Sequence, residues 1–249
     1  MKVVGIIPAR YHSTRLEGKP LVDILGKPMI QHVYEKARRS TMLEDLIVAT
    51  DDERIRAAVE GFGGKAVLTS ANHSTGTDRV AEAAFSLDAE IVVNIQGDEP
   101  FIEPGMIDEI VAPLLEDPQL PMCTSMHKVT DPEDFSNPNV VKVVRNLSGD
   151  ALYFSRSLIP YPRYAEGHRV FEHIGVYAFR KEFLLTYAKL KPTPLERFEA
   201  LEQLRALEHG YRLRVVETRQ NYIALSVDTP ADLERARALA RSKAQQSRP

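Results

Sequence analysis

Val3-Val4-Gly5-Ile6-Ile7 runs directly into Pro8-Ala9-Arg10-Tyr11-His12-Ser13-Thr14-Arg15-Leu16-Glu17-Gly18-Lys19-Pro20. Its first five residues form a nearly continuous apolar run, the pattern of a strand covered on both faces. Similar short runs follow at 46–50, 66–68 and 91–95. Between them apolar residues recur at helical spacing: Ile30, Val33, Tyr34 and Ala37; Ile55, Ala58, Val59 and Phe62; Val80, Ala83, Ala84 and Leu87. Strand and helix therefore alternate through the first hundred residues. With right-handed crossovers this predicts a three-layer α/β/α, Rossmann-like arrangement, with ligands bound beyond the carboxyl ends of parallel strands.

Farther along, a helix is expected over 104–116, then strands near 122–129, 140–145, 151–154 and 171–180. Helix returns over 194–208. There Leu195, Phe198, Leu201, Leu204 and Leu207 spiral around the circumference, which predicts a helix buried on all sides. A last strand is expected at 222–227. Thr229-Pro230-Ala231-Asp232-Leu233 then reads as a helix start, with Thr229 capping, Pro230 in the first helical position and Asp232 reaching back. Leu233, Ala236 and Ala240 would face inward. No Pro/Gly/Ser-rich linker divides the chain, so 1–249 is expected to form a single domain with halves at about 1–117 and 118–249. The tail over 242–249 reads as disordered.

The 249 residues carry 32 Lys plus Arg against 35 Asp plus Glu, a net charge of -3. That offers no overall field for nucleic acid or an anionic membrane, so any anion must be captured locally. The opening apolar run is too short to span a bilayer and lacks a signal-cleavage pattern. The single cysteine, Cys123, has no partner for a disulfide and reads as a small buried residue in a reducing, cytoplasmic setting.

Arg10, Arg15 and Lys19 share the loop after the first strand, while Ala9, Ser13 and Thr14 leave its backbone open to a ligand. Such cations are either solvated surface charges or an anion site. A triphosphate suits them, because guanidinium groups chelate phosphate oxygens and a lysine acts as a point charge. The loop is neither a Walker A loop nor a GxGxxG fingerprint. Asp98 and Asp228 each follow an expected strand, and two carboxylates near a triphosphate form a hard oxygen site for Mg2+. Taken alone, Asp98 as a turn residue and Asp228 as a cap are the plainer readings. Thr75, Gly76 and Arg79 stand at a helix start, where free amides and a guanidinium could hold a nucleotide; a solvated helix residue is the plainer reading of Arg79. His173 and Tyr177, four apart in a strand, share a face. Glu202 and Gln203 share a helical face with Glu199, and either a sugar polyol or an internal hydrogen-bond network would satisfy them.

The segments Ile7-Pro8-Ala9-Arg10, Ser13-Thr14-Arg15-Leu16 and Gly18-Lys19-Pro20-Leu21 resemble the signature loop of the CMP-KDO synthetases. Further similar stretches are Asn72 to Arg79, Val93 to Pro100, Ala151 to Arg156, His173 to Tyr177, Leu201 to Arg205 and Val227 to Pro230, so the resemblance covers nearly the whole chain. It implies a nucleotidyltransferase fold with a mostly parallel mixed sheet. The implied reaction is Mg2+-dependent transfer of CMP from CTP to the anomeric hydroxyl of 3-deoxy-D-manno-octulosonate (KDO), releasing pyrophosphate. Nucleotide contacts are expected from Pro8, Ala9, Arg10, Ser13, Thr14, Arg15, Lys19, Thr75, Gly76, Arg79, Gln96 and Asp98, with Gln96 reading the base. Asp98 and Asp228 are expected to hold metal, and Arg15 and Lys19 to meet charge on the phosphates. The acidic sugar calls for a cation, for which Arg156 is the candidate, and for hydrogen bonds from His173, Tyr177, Glu202, Gln203 and Asp228. The same resemblance implies a homodimer built by the second half and a place in lipopolysaccharide synthesis. The rival readings are the same chemistry on another acidic sugar, such as sialic acid, and a sensor that binds without reacting.

Overall fold

The computed structural model describes residues 1–164 and 166–246. Its elements in chain order begin with β1 (Val3–Ala9), the small hairpin β2 (Asp23–Ile24) and β3 (Lys27–Pro28), α1 (Met29–Ala37), β4 (Asp45–Thr50), α2 (Glu53–Gly61), β5 (Ala66–Leu68), α3 (Gly76–Phe85), β6 (Ile91–Asn94) and α4 (Pro104–Glu116). The second half adds β7 (Met122–Lys128), β8 (Lys142–Arg145), β9 (Ala151–Ser155), β10 (Phe171–Arg180), α5 (Lys181–Tyr187), α6 (Pro194–Glu199), α7 (Leu204–Glu208), β11 (Arg214–Glu217) and α8 (Pro230–Gln246).

One sheet runs through both halves in the order β11-β7-β10-β6-β1-β4-β5, with β8 and β9 extending from β10. β1 pairs parallel with β4 and β6, β4 with β5, and β11 with β7; β10 runs antiparallel between β6 and β7. The sheet is therefore mixed and mostly parallel, with helices on both faces. On one face Ile7, Val48, Val93 and Ile174 pack with Ile30 and Val33 of α1, Ile55 of α2 and Ile107 and Ile110 of α4. On the other, Val4, Ile6, Val92 and Phe179 meet Val80 and Ala84 of α3, Leu184 of α5 and Leu204 of α7. Each fully buried aliphatic side chain contributes about 1.5–3 kcal/mol, which is why the apolar runs sit at the centre of the sheet. A smaller cluster joins Leu233, Ala236 and Ala240 of α8 to Ile24, Met29 and Phe101, the inward stripe expected for that helix. Among the described residues no helix is long and apolar enough to cross a membrane.

Four expectations need correction. The helix expected over 194–208 is two short helices, broken at Ala200, which adopts a left-handed conformation at φ 51°. Tertiary contacts impose the break. Arg156 donates from Nε to Glu199 O at 2.7 Å and from NH2 to Ala200 O at 3.3 Å, taking carbonyls that a continuing helix would need. The burial expected on all sides fails with it: Leu201 and Leu204 are buried, whereas Phe198 is 85% exposed. No ladder forms over 222–227; the last strand is β11, whose Leu213-Arg214-Val215 alternation is partly masked by charge. Residues 242–246, expected to be disordered, continue α8, and 247–249 lie outside the described residues.

Candidate active site

The parallel strands end at one edge, and the chain brings three turns together there. Pro8 lies at their meeting point. A β-carbon on Gly97 would come within 3.0 Å of Pro8 O, and one on Gly76 within 3.4 Å of the Pro8 ring. Only a residue without a side chain lets the turn after β6 approach the turn after β1 so closely. A cleft of about 350 Å³ opens between them, lined by all twelve expected nucleotide residues, from Pro8 to Asp98, together with Asp228. Pro20, His73, Ser74 and Gly97 line it too; each lies inside a quoted motif but was not among the expected contact residues.

Asp228 reaches the cleft by a different route from the one expected. Val227 N donates to Asp98 O at 2.9 Å, so the extended segment after β11 is tied by one main-chain bond to the turn after β6. Behind it, Asp232 fixes the start of α8: its Oδ2 accepts from Asp228 N at 3.1 Å and Thr229 N at 2.8 Å, and Asp232 N donates to Thr229 Oγ1 at 3.2 Å. Burial works against ionisation of Asp232, but Arg235, Thr229 and these amides outweigh it and hold the carboxyl down to about 2.

Lys19 Nζ stands between the two acids, 2.6 Å from Asp98 Oδ2 and 2.7 Å from Asp228 Oδ1, and Arg15 NH2 donates to that Asp228 oxygen at 2.8 Å. Two carboxylate oxygens within hydrogen-bond length of one atom are close enough to share one cation. Arg79 is buried, not solvated. Its guanidinium donates to Thr69 Oγ1 at 2.5 Å and pairs with Asp51 at 3.3 Å, while the side chain still borders the cleft. Thr75 and Asp78 form a reciprocal capping box at the start of α3, where Thr75 and Gly76 line the cleft beside the positive end of the helix.

The expected sugar residues divide. His173 and Tyr177 share a face as anticipated, with ring centroids 5.5 Å apart, and Gln203 Nε2 lies 3.4 Å from His173 Nδ1. Burial raises the Tyr177 hydroxyl above its usual range, helped by nearby Glu202 and Glu99. Burial also raises Glu202, whose Oε1 has no hydrogen-bond partner, and the same is true of Asn94 Oδ1 in β6. These residues lie outside the cleft described above but connect to it: Gln96 Nε2 donates to Gly175 O at 2.8 Å, beside His173. Arg156 is not brought to this group. Besides its bonds to α6, it donates from NH1 to Pro138 O at 2.8 Å, so its guanidinium is committed to main-chain carbonyls. Glu99 is pushed up to about 8 by burial and by Asp98 and Glu172, and Glu172 up to about 7 by burial and Asp134. Cys123 is buried, and its thiol is pushed above the usual range.

A ladder irregularity in β10 between Ile174 and Tyr177 explains the setting of His173. Fully buried Thr124 places Oγ1 2.8 Å from Val176 O, 3.1 Å from Ile174 O and 3.0 Å from His173 Nε2. The hydroxyl has one proton, which a carbonyl takes, so Nε2 carries hydrogen and Nδ1 accepts from Gln203. Burial pushes the imidazole down from 6.5 to about 3. The unfolded chain takes up this proton near 6.5 and the folded chain does not, so His173 withdraws about 1.4 kcal/mol of stability per pH unit as pH falls between those values. His173→Gln is expected to narrow its stability deficit against the parent by that amount between about pH 6 and pH 5 in urea unfolding. A deficit that stays constant would mean that the imidazole protonates in place.

The cytidylyltransferase family model matches residues 4–215. A 3-deoxy-manno-octulosonate cytidylyltransferase from Geobacter metallireducens is 52% identical, covering 94% of this chain and 96% of its own. One of the same description from Geotalea uraniireducens is 53% identical, covering 94% and 97%. A solved structure of a CMP:2-keto-3-deoxy-manno-octonic acid synthetase complexed with CTP superposes with a TM-score of 0.93 at 47% identity, covering 98% of this chain and all of that one.

Proposed function

The chain belongs to the cytidylyltransferase family, and from that premise we propose that it transfers CMP from CTP to the anomeric hydroxyl of KDO, giving CMP-KDO and pyrophosphate. One observation carries the reading at the level of residues: Arg15, Lys19, Asp98 and Asp228 converge within one cleft. Cations matched to a polyphosphate and paired acids matched to a divalent ion are what transfer at the α-phosphorus requires.

Arg10, Arg15 and Lys19 bind and orient the triphosphate, and the amides at the start of α3 add partial positive charge. Asp98 and Asp228 would hold Mg2+, which neutralises phosphate charge and acidifies a coordinated hydroxyl. Among the described residues no group of three or more His, Cys, Asp or Glu is placed to hold a metal. Two acids suffice for this ion, which completes its shell with phosphate and water. As the sugar oxygen bonds to the α-phosphorus, the bond to the bridging oxygen of pyrophosphate breaks. Arg15 and Lys19 meet the departing charge. The unpartnered oxygens of Asn94 and Glu202, with His173, Tyr177 and Gln203, suit a polyol that donates and accepts hydrogen bonds.

We place the reaction in the cytoplasm, as a step of lipopolysaccharide synthesis, in a single domain whose first half (about 1–117) binds nucleotide and whose second (about 118–249) binds sugar. The second half also carries the partner surface: Leu152, Tyr161, Tyr164 and Phe198 are largely exposed, which supports a homodimer. Light scattering should give twice the mass of the 28.0 kDa chain. The reaction itself is tested by crossing CTP, UTP, ATP and GTP with KDO, its eight-carbon amino analogue and sialic acid, and measuring pyrophosphate release. Release is expected with CTP and KDO together. Release with sialic acid in place of KDO would reassign the acceptor.

A further inference from the structure

The loop from Arg10 to Lys19 gathers three cations that repel one another, yet the chain folds it back on itself. Gly18 N donates to Tyr11 O at 3.1 Å, closing the loop at its base, and Leu21 N donates to Gly18 O at 2.8 Å. Gly18 sits at φ 63°, a left-handed conformation that glycine adopts freely. It also packs directly on the Tyr11 ring, since a β-carbon there would come within 3.2 Å of Tyr11 Cζ and Oη. The position of that ring therefore sets the position of the hinge beside Lys19.

Arg54, in the first turn of α2, holds the ring. Its guanidinium carbon lies 3.3 Å from the ring centroid. The guanidinium is forked onto Asp52, Nε to Oδ1 at 2.9 Å and NH2 to Oδ2 at 2.6 Å. Asp52 is fixed in turn. Its Oδ1 caps α2 by accepting Arg54 N at 2.9 Å, and its own N donates at 3.2 Å to the hydroxyl of Thr50, a fully buried residue at the end of β4. A chain of contacts thus runs from the sheet through Asp52 and Arg54 to Tyr11 and Gly18. None of these four residues lines the main cleft.

We propose that Asp52, Arg54 and Tyr11 form a clamp that holds the phosphate loop in its nucleotide-binding shape, making them positioning residues for CTP. Preorganising the loop moves its ordering cost from binding to folding, so the clamp acts on nucleotide affinity and not on the chemical step. The kinetic part of this inference rests on the CTP reading above; the loop's shape does not.

Trypsin separates the two, because the loop offers it Arg10-Tyr11 and Arg15-Leu16. In Arg54→Ala and Tyr11→Leu, cleavage after Arg15 in the otherwise native protein should quicken about fivefold, the upper scale of one exposed cation–π contact. KM for CTP should rise by about the same factor, with kcat and KM for the sugar within twofold. Tyr11→Phe, which keeps the ring, should behave as the parent. Arg54→Lys, which keeps the charge but loses the fork, should fall between. Unchanged cleavage would overturn the clamp, as would a rise in both KM values accompanied by a lower Tm. A parent protein that ignores CTP would instead defeat the functional reading, and the cleavage rates would still decide the clamp.

Discussion

Asp98→Asn is expected to lower kcat/KM for CMP transfer about a thousandfold while leaving the fold intact. Asparagine keeps the size of the side chain but cannot give a divalent ion a charged ligand or hold Lys19 by charge. The main-chain bond from Val227 N to Asp98 O does not involve the side chain, so Asp228 stays in place. The loss therefore reports charge, not displacement. Its scale is the upper end of what one preorganised electrostatic contact to a transition state contributes, about two to three orders of magnitude, because on the proposed reading the carboxylate serves both a metal and the phosphate-binding lysine. Asp228→Asn should cost nearly as much, and the double variant little more than either, as the proposed sharing of one ion by both acids requires. Pyrophosphate release at saturating Mg2+, beside unfolding curves for each variant, is the measurement. Turnover within tenfold of the parent in a folded Asp98→Asn protein would remove Asp98 from the centre.

The reading of the sequence succeeded where local pattern and tertiary outcome agree. The apolar runs leading into Pro8 and Gln96 are central strands because nothing but a buried position suits them, and they carry Arg10 and Asp98 to one edge by topology alone. Thr229-Pro230-Ala231-Asp232 carries its own capping groups and starts a helix here. It failed where a distant residue overrides the local pattern. Residues 194–208 have a helical composition throughout, and only Arg156, arriving from β9, removes the carbonyls that would carry the helix past Ala200. That contact also explains why Arg156 does not reach His173 and Tyr177. Asp228 lines the cleft, but no strand delivers it: the bond from Val227 N to Asp98 O brings the segment to the turn after β6, and Asp232, Lys19 and Arg15 fix the residue there. Asn94 and Thr124 offered a signal that went unused, since a polar residue inside a fully buried strand must find a partner. Thr124 finds His173 and the carbonyls of Ile174 and Val176, whereas Asn94, opposite Tyr177 in the sheet, gives its amide to Thr77 and leaves Oδ1 without a partner.

Lys19→Met should lower kcat/KM by about two to three orders of magnitude and also change how the protein responds to metal. Methionine fills nearly the same volume without charge. Lys19 is mostly buried, and its ammonium lies within 2.7 Å of both acids, so the charge proposed to meet the phosphates is committed to Asp98 and Asp228 in this structure. On the proposed reading it would leave them to reach a triphosphate, and the two carboxylates would then hold a divalent ion in its place. Without Lys19, the one ion pair left to the two acids among the described residues is that from Arg15 to Asp228. Their mutual repulsion then favours any cation that can bridge them. Mg2+ alone should consequently raise the Tm of Lys19→Met more than that of the parent, in which the ammonium competes for the same oxygens. Lys19→Arg should recover only part of the activity, because a planar fork does not fit between two acids as a compact ammonium does. If Lys19→Met kept its turnover and responded to Mg2+ as the parent does, the lysine would be an ordinary buried ion-pair partner. The exchange of cations at these two carboxylates would then have to be abandoned.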